Sequence, residues 1–384
     1  MSEKIKKPAV KIIQGDMHLI LTAFTLRDFA RKGFYRVNRL DVEQERGMQR
    51  ILDTARAKRF ASDFAEANKA DEALLPTSVF LATEGEIKFD EGSGDIVFDV
   101  SPQAGICPFD VVDGQHRIEG LRAAASQTDG ELWDFPVATV IAPGLNEAGR
   151  MLQFIVVNTK QEKVDDGVAQ HISARFTDMD GVQDLPYIPG WLRKKIDRGD
   201  DKRALHFVVA LNRDNDSPFC GRIQMADEHK SKLHTINQKS FVKLITKHVL
   251  TANHPLFINE RDPDKQVQMF KNFWQAIVRV FVGEYAERTS VFTQNSVEFF
   301  LQILGPILNQ LARRRSYTVD RFEVLLRSAD ETDDYPGMLT PEFWKRGGQA
   351  SILNAGGMRK MATSYVRALA SANAGDIVTS NEGD

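Results

Sequence analysis

The chain has 384 residues, 42% of them apolar and 27% charged, with a formal net charge of −3. That length predicts two domains with full cores, and the slight acidity excludes a protein coated with cations for general DNA binding. Two distant cysteines and eight scattered histidines without paired spacing exclude a zinc site. No run of eighteen apolar residues predicts a membrane span, and the N-terminus lacks a signal pattern. A cytoplasmic protein with Cys107 and Cys220 reduced is expected.

Residues 8–14 and 16–25 are apolar enough for two short strands or a strand and a turn. Residues 42–70, rich in Ala, Arg, Gln and Glu, predict one long helix. On it Arg46, Gln49 and Arg50 would share a polar face, while Ile51, Leu52 and Ala55 offer another to a core. Residues 77–83 alternate as a strand, and Gly92-Ser93-Gly94 marks a hairpin within 89–100. Strands at 109–112 and 135–141 flank a helix at 118–125, and 147–154 reads as helical. Strands and helices mixed at this spacing predict an α+β chain whose first domain, 1–165, is mixed α/β. Residues 166–371 form a mainly helical second part, with helices at 165–175, 238–250, 264–287 and 296–311. Phe219-Cys220-Gly221-Arg222-Ile223 returns as a strand. Phe270, Phe273, Trp274, Ile277 and Phe281 make an aromatic stripe that is core rather than a base-stacking platform. Gly347-Gly348 and Gly356-Gly357 are expected to end helices. Residues 372–384 are expected to be a disordered tail.

The most informative stretch is Asp113-Gly114-Gln115-His116-Arg117, where an apolar strand stops and a helix starts. Such a turn aims free backbone N–H groups and the positive end of a helix at one point, where a phosphate can sit. His116 and Arg117 add one titratable and one permanent donor. On spacing alone the same residues read more readily as an ordinary Asp-Gly surface turn. Asp110 falls one strand step back, facing the core edge or solvent. Glu119, one helical turn on, would orient a water or pair with Arg122. Basic clusters lie at 27–39, at 46–59, at 193–203 beside Trp191 and at 313–315. Each is a candidate nucleic-acid face or simply a solvated one.

Asp113–Arg117 spells the motif of the DGQHR-domain family, which resembles the ParB/sulfiredoxin-like fold. Arg46-Gly47-Met48-Gln49-Arg50 resembles that family's Arg-x-x-Gln-Arg box. Phe154-Ile155-Val156-Val157-Asn158-Thr159-Lys160-Gln161 resembles its third box, although the residues alone also read as a strand end with an Asn cap. Sulfiredoxins carry a cysteine where Gln115 stands, so sulfinic acid reduction is excluded. The resemblance covers roughly residues 35–225. It implies an ATP site at Gly114, Gln115, His116, Arg117, Asn158, Lys160 and Gln161, with Asp113, His116 and Arg117 catalytic. Mg2+ would sit on Asp113, and DNA would meet Arg46, Gln49 and Arg50. No Walker-type P-loop is present.

The same resemblance implies a component of a DNA-modification or phage-defence system. One form is an ATP-hydrolysing accessory to 7-deazaguanine base insertion, with DNA and a transglycosylase-like enzyme as partners. The other is a DNA-binding regulator of a phosphorothioation-like operon. The absence of a helix-turn-helix pattern and the Asn-x-x-Gln third box favour the accessory. A homo-oligomer is compatible with either form, and no membrane is involved.

Overall fold

A hairpin opens the chain because β-prone apolar residues run on both sides of Gly15, whose φ of +60° permits the tight turn. Its strands are β1 (Lys4–Gln14) and β2 (Met17–Thr25), paired antiparallel. The short helix α1 (Leu26–Phe29) follows, held by a reciprocal cap between Thr25 and Asp28. The computed structural model describes residues 4–128, 131–161, 166–182, 185, 188–312, 315–329 and 334–379.

Six further strands complete one sheet: β3 (Tyr35–Arg36), β4 (Val79–Ala82), β5 (Lys88–Asp90), β6 (Asp95–Asp99), β7 (Phe109–Asp113) and β8 (Pro136–Ala142). Their order is β3-β7-β4-β8-β2-β1-β6-β5. Strand β7 lies between β3, its parallel neighbour, and β4, its antiparallel one. It is buried from Phe109 to Val112, as its apolar run requires. Phe24, Phe34, Phe98 and Phe109 form an edge-to-face cluster at the heart of this core. Burial of each such ring contributes about 1.5–3 kcal/mol. Helices α2 (Thr54–Lys69) and α3 (Gln115–Ala125) pack on one another. Next come α4 (Glu147–Gln161), α5 (Asp166–Asp178) and α6 (Gly190–Arg198).

The predicted α+β class is borne out, and so are the strands at 77–83, 109–112 and 135–141. The predicted helix over 42–70 is not. Helix starts only at Thr54, capped by Asp53, and residues 37–53 form an irregular loop. The cause is Gly47, which has φ of +77° and lies so close to Arg39 that a Cβ would stand 1.9 Å from its carbonyl oxygen. Isolated bridges Arg39–Gln49 and Asp41–Arg46 close the loop on itself. Arg46, Gln49 and Arg50 therefore share no helix face. The third box also differs from the strand-end reading, since Asn158 lies inside α4.

The chain divides into two compact units, Met1–Arg198 and Gly199–Asp384, so α5 and α6 fall in the first. The second is mainly helical: α7 (Asp200–Arg213), α8 (Gln238–His248), α9 (Pro255–Asn259), α10 (Pro263–Ile277), α11 (Gln294–Ala312), α12 (Val319–Arg327), α13 (Pro341–Trp344), α14 (Gln349–Ile352) and α15 (Ala355–Thr379). The predicted strand at 219–223 shrinks to β9 (Ile223–Gln224), paired in parallel with β10 (Ile236–Asn237). The aromatic stripe of α10 is core, with Phe270, Phe273 and Trp274 fully buried. Gly356-Gly357 does not end a helix; it sits in the first turn of α15, where Asn354 Oδ1 accepts from the Gly357 N–H. The predicted tail begins inside α15, and residues 380–384 lie outside the described residues. No helix among the described residues is long and apolar enough to cross a membrane.

Candidate functional site

The turn between β7 and α3 works first as a joint. Gly114 caps α3 in the left-handed region, at φ of +105°, with no side-chain hydrogen bond to the first turn. The buried Gln115 donates from Nε2 to the Arg50 carbonyl at 3.3 Å. Buried Gln49 donates in return to the Val111 and Val112 carbonyls, at 2.7 and 2.9 Å. His116 Nε2 accepts from the Asp53 N–H at 3.1 Å. The first two sequence boxes thus lock together, and the second fixes the loop that carries the first.

His116 is held neutral: burial lowers its pKa, and Arg50 and Arg56 nearby lower it further. Because Nε2 accepts, its proton is assigned to Nδ1. Arg117 spends its donors on Asp113, on Thr77 Oγ1 at 2.7 Å and on the Ser78 carbonyl at 2.7 Å. The Asp113 carboxylate is therefore the partner of Arg117. Among the described residues no three His, Cys, Asp or Glu side chains gather as a metal site. Glu119 accepts from the Tyr35 hydroxyl at 2.6 Å, and Arg122 donates to that same hydroxyl at 2.7 Å. Burial, then the bond to Glu119, pushes the Tyr35 pKa upward.

The third box contributes less directly. Asn158 Nδ2 donates to the Phe154 carbonyl within α4. The side chains of Lys160 and Gln161, and residues 162–165, lie outside the described residues. What α4 does bring to β7 is Arg150, a residue the sequence reading missed.

Asp110 is the second residue misjudged from sequence. It is buried on a central strand, only 1% exposed, rather than at a core edge or in solvent. Arg36 grips it with two nitrogens, Asn38 Nδ2 donates to it at 2.7 Å and Arg150 Nε at 2.8 Å. Arg150 is buried too, and its other end meets Glu84 at 2.9 Å and the Leu145 carbonyl at 2.7 Å. Hydrogen bonding to Asp110 raises the Arg36 pKa, so its charge is permanent. A charged residue inside an otherwise apolar strand was the available signal.

Above Asp110 the loop 37–48 and the start of α4 enclose a cavity of about 470 Å³. Its lining holds Arg36, Arg39, Arg46 and Arg150 against a single acid, Glu147, with Met48 and Met151 as apolar wall. Glu147 is itself engaged by Arg175, which also donates to the Gly47 carbonyl at 2.8 Å. Among the described residues Arg46 makes only an exposed pair with Asp41 at 3.3 Å, which solvent screens. Arg39 is exposed and has no ion pair among the described residues. An anion entering the cleft would meet Arg36 and Arg150, anchored by the buried Asp110 carboxylate, together with Arg39 and Arg46, which that carboxylate does not hold. Of the three residues expected to meet DNA, Arg46 lines this cleft, Gln49 is a buried strut and Arg50 is exposed beside the joint.

Comparison with known proteins adds one family. Residues 7–178 match the model of the DndB family, described as DNA-sulfur modification-associated. The matched stretch runs from β1 to the end of α5, and it bears out the resemblance carried by Asp113–Arg117. No curated protein and no solved structure matches the chain.

Proposed function

Because residues 7–178 match the DndB family model, we propose that this protein is a DNA-binding regulatory component of a DNA sulfur-modification system. The arginine-lined cleft between loop 37–48 and α4 is where it holds a DNA phosphate. The observation that carries this reading is the charge of that lining, four arginines to one glutamate, in a chain of net charge −3. Guanidinium groups match phosphate oxygens in pairs. Phosphate contacts fix register on the duplex without reading sequence. The DGQHR turn then acts through the joint: Gln49, Gln115 and His116 hold the loop that presents Arg39 and Arg46.

The test is duplex binding by fluorescence anisotropy across a salt series. Replacing Arg39 and Arg46 by alanine should weaken binding and lower the salt slope by about 1.8, or 0.9 per lost phosphate contact. An unchanged affinity and slope would remove the cleft from DNA recognition.

One observation favours a second reading. The first turn of α3 has no side-chain cap, and His116 keeps its Nδ1 proton for donation. A nucleotide phosphate, as in ATP, fits such a helix end. Asn158, Lys160 and Gln161 would then complete the nucleotide site. Hydrolysis would further require Mg2+ on Asp113, through the carboxylate oxygen that does not meet Arg117. The accessory role in 7-deazaguanine insertion, with a transglycosylase-like partner, depends on that step. Phosphate release from ATP with Mg2+, abolished by Asp113→Ala, would support it; no release by the unaltered protein would end it.

A further inference from the structure

Helix α6 lies beyond the residues that match the DndB family model. It is nine residues long and holds four cations, Arg193, Lys194, Lys195 and Arg198, against the single acid Asp197. Leu192 and Ile196 form its buried side, and it packs on α5. Trp191, Lys194, Lys195 and Arg198 follow at i, i+3, i+4 and i+7, which is one stripe of a helix. On that stripe Trp191 is 42% exposed. Lys194 and Arg198 have no ion pair or side-chain hydrogen bond among the described residues.

The half-exposed indole of Trp191 stands in one stripe with Lys194 and Arg198, two cations without an acid partner among the described residues. The stripe therefore combines two features of a polyanion contact: cations spaced for successive phosphates and an indole able to lie on a sugar or base. A lipid surface fits less well. Interfacial helices insert an apolar face, and here Leu192 and Ile196 are already used within the protein.

We infer that α6 is a second DNA-contacting surface, with Lys194 and Arg198 on the phosphate backbone and Trp191 against the nucleotide between them. This rests on the reading that the protein's ligand is DNA, while the residues involved are separate from the arginine cleft. Duplex and single-stranded DNA share the chemistry recognised, and both serve as probes.

The experiment follows tryptophan emission of the full chain during titration with a 20-base-pair duplex, its single strand and anionic phospholipid vesicles. Of the four tryptophans, Trp274 and Trp344 are fully buried and Trp133 is partly buried, so a DNA-dependent change is assigned to Trp191 by difference from Trp191→Phe. Quenching on DNA addition is expected, and Trp191→Phe should remove it. Lys194→Gln with Arg198→Gln should weaken binding and lower the salt slope by about 1.8. Binding with unaltered affinity and slope in that double variant, alongside a loss in Arg39→Ala/Arg46→Ala, would overturn the α6 contact and leave the cleft standing. Quenching by vesicles but not by DNA would overturn it in favour of lipid. No response of the unaltered protein to any probe would overturn both.

Discussion

Removing the Asp110 carboxylate by Asp110→Ala leaves Arg150 buried with Nε unpaired and Asn38 Nδ2 without its acceptor. Breaking a buried pair from one side costs about 3–5 kcal/mol, mostly through the charge left behind. Arg36 adds little to that figure, because its side chain is 50% exposed and water can replace the lost partner. In a unit of this size each kcal/mol moves the melting temperature by about 2–4 °C, so a fall of roughly 6–20 °C is expected. Arg150→Met removes the buried charge itself, and Asp110 keeps Arg36 and Asn38, so it should cost less. The double variant should then be more stable than additivity allows, by about 0.5–3 kcal/mol. Urea unfolding followed by circular dichroism measures all three. Strict additivity, or a loss below about 1 kcal/mol for Asp110→Ala, would refute the view that this carboxylate anchors the cleft.

Gly47→Ala forces a left-handed φ on an L residue and drives a Cβ into the Arg39 backbone. A stability loss of about 1–3 kcal/mol is expected, together with a drop in DNA affinity in anisotropy while the sheet stays folded. In the second unit, burial lowers the pKa of His254 to about 4. Its unfolded form, titrating near 6.5, binds the proton first, so stability is complete above that value and falls as pH drops toward 4. The loss should reach about 3 kcal/mol, read from urea midpoints at pH 7 and pH 4. His254 caps α9 by accepting from the Leu256 N–H. His254→Asn keeps a capping acceptor and should flatten this acid slope; an unchanged slope would place the titration elsewhere.

Local pattern carried the strand, turn and helix around Asp113–Arg117, because an apolar run, an Asp-Gly turn and an alanine-rich helix are adjacent in sequence. It failed at 42–53, where helix-forming composition concealed one glycine whose backbone approaches Arg39. It failed at Asp110 as well, since Arg36, Asn38 and Arg150 stand 74, 72 and 40 positions away. Only the pairing of β3 with β7 and the packing of α4 on β7 bring them together. The basic cluster at 27–39 was visible as charge, but its cavity was not, because the opposite wall comes from α4. Helical spacing identified the aromatic stripe as core, although α10 ends at Ile277 and Phe281 lies in the π-helical turn Val278–Val282 that follows, short of the helix expected to 287.

Hydrogen–deuterium exchange of the full chain, with and without a saturating duplex, tests the central claim most directly. The account predicts slowed exchange at residues 36–48 and at the start of α4, where the arginine cleft is built. Bound DNA with unchanged exchange across both segments would contradict it.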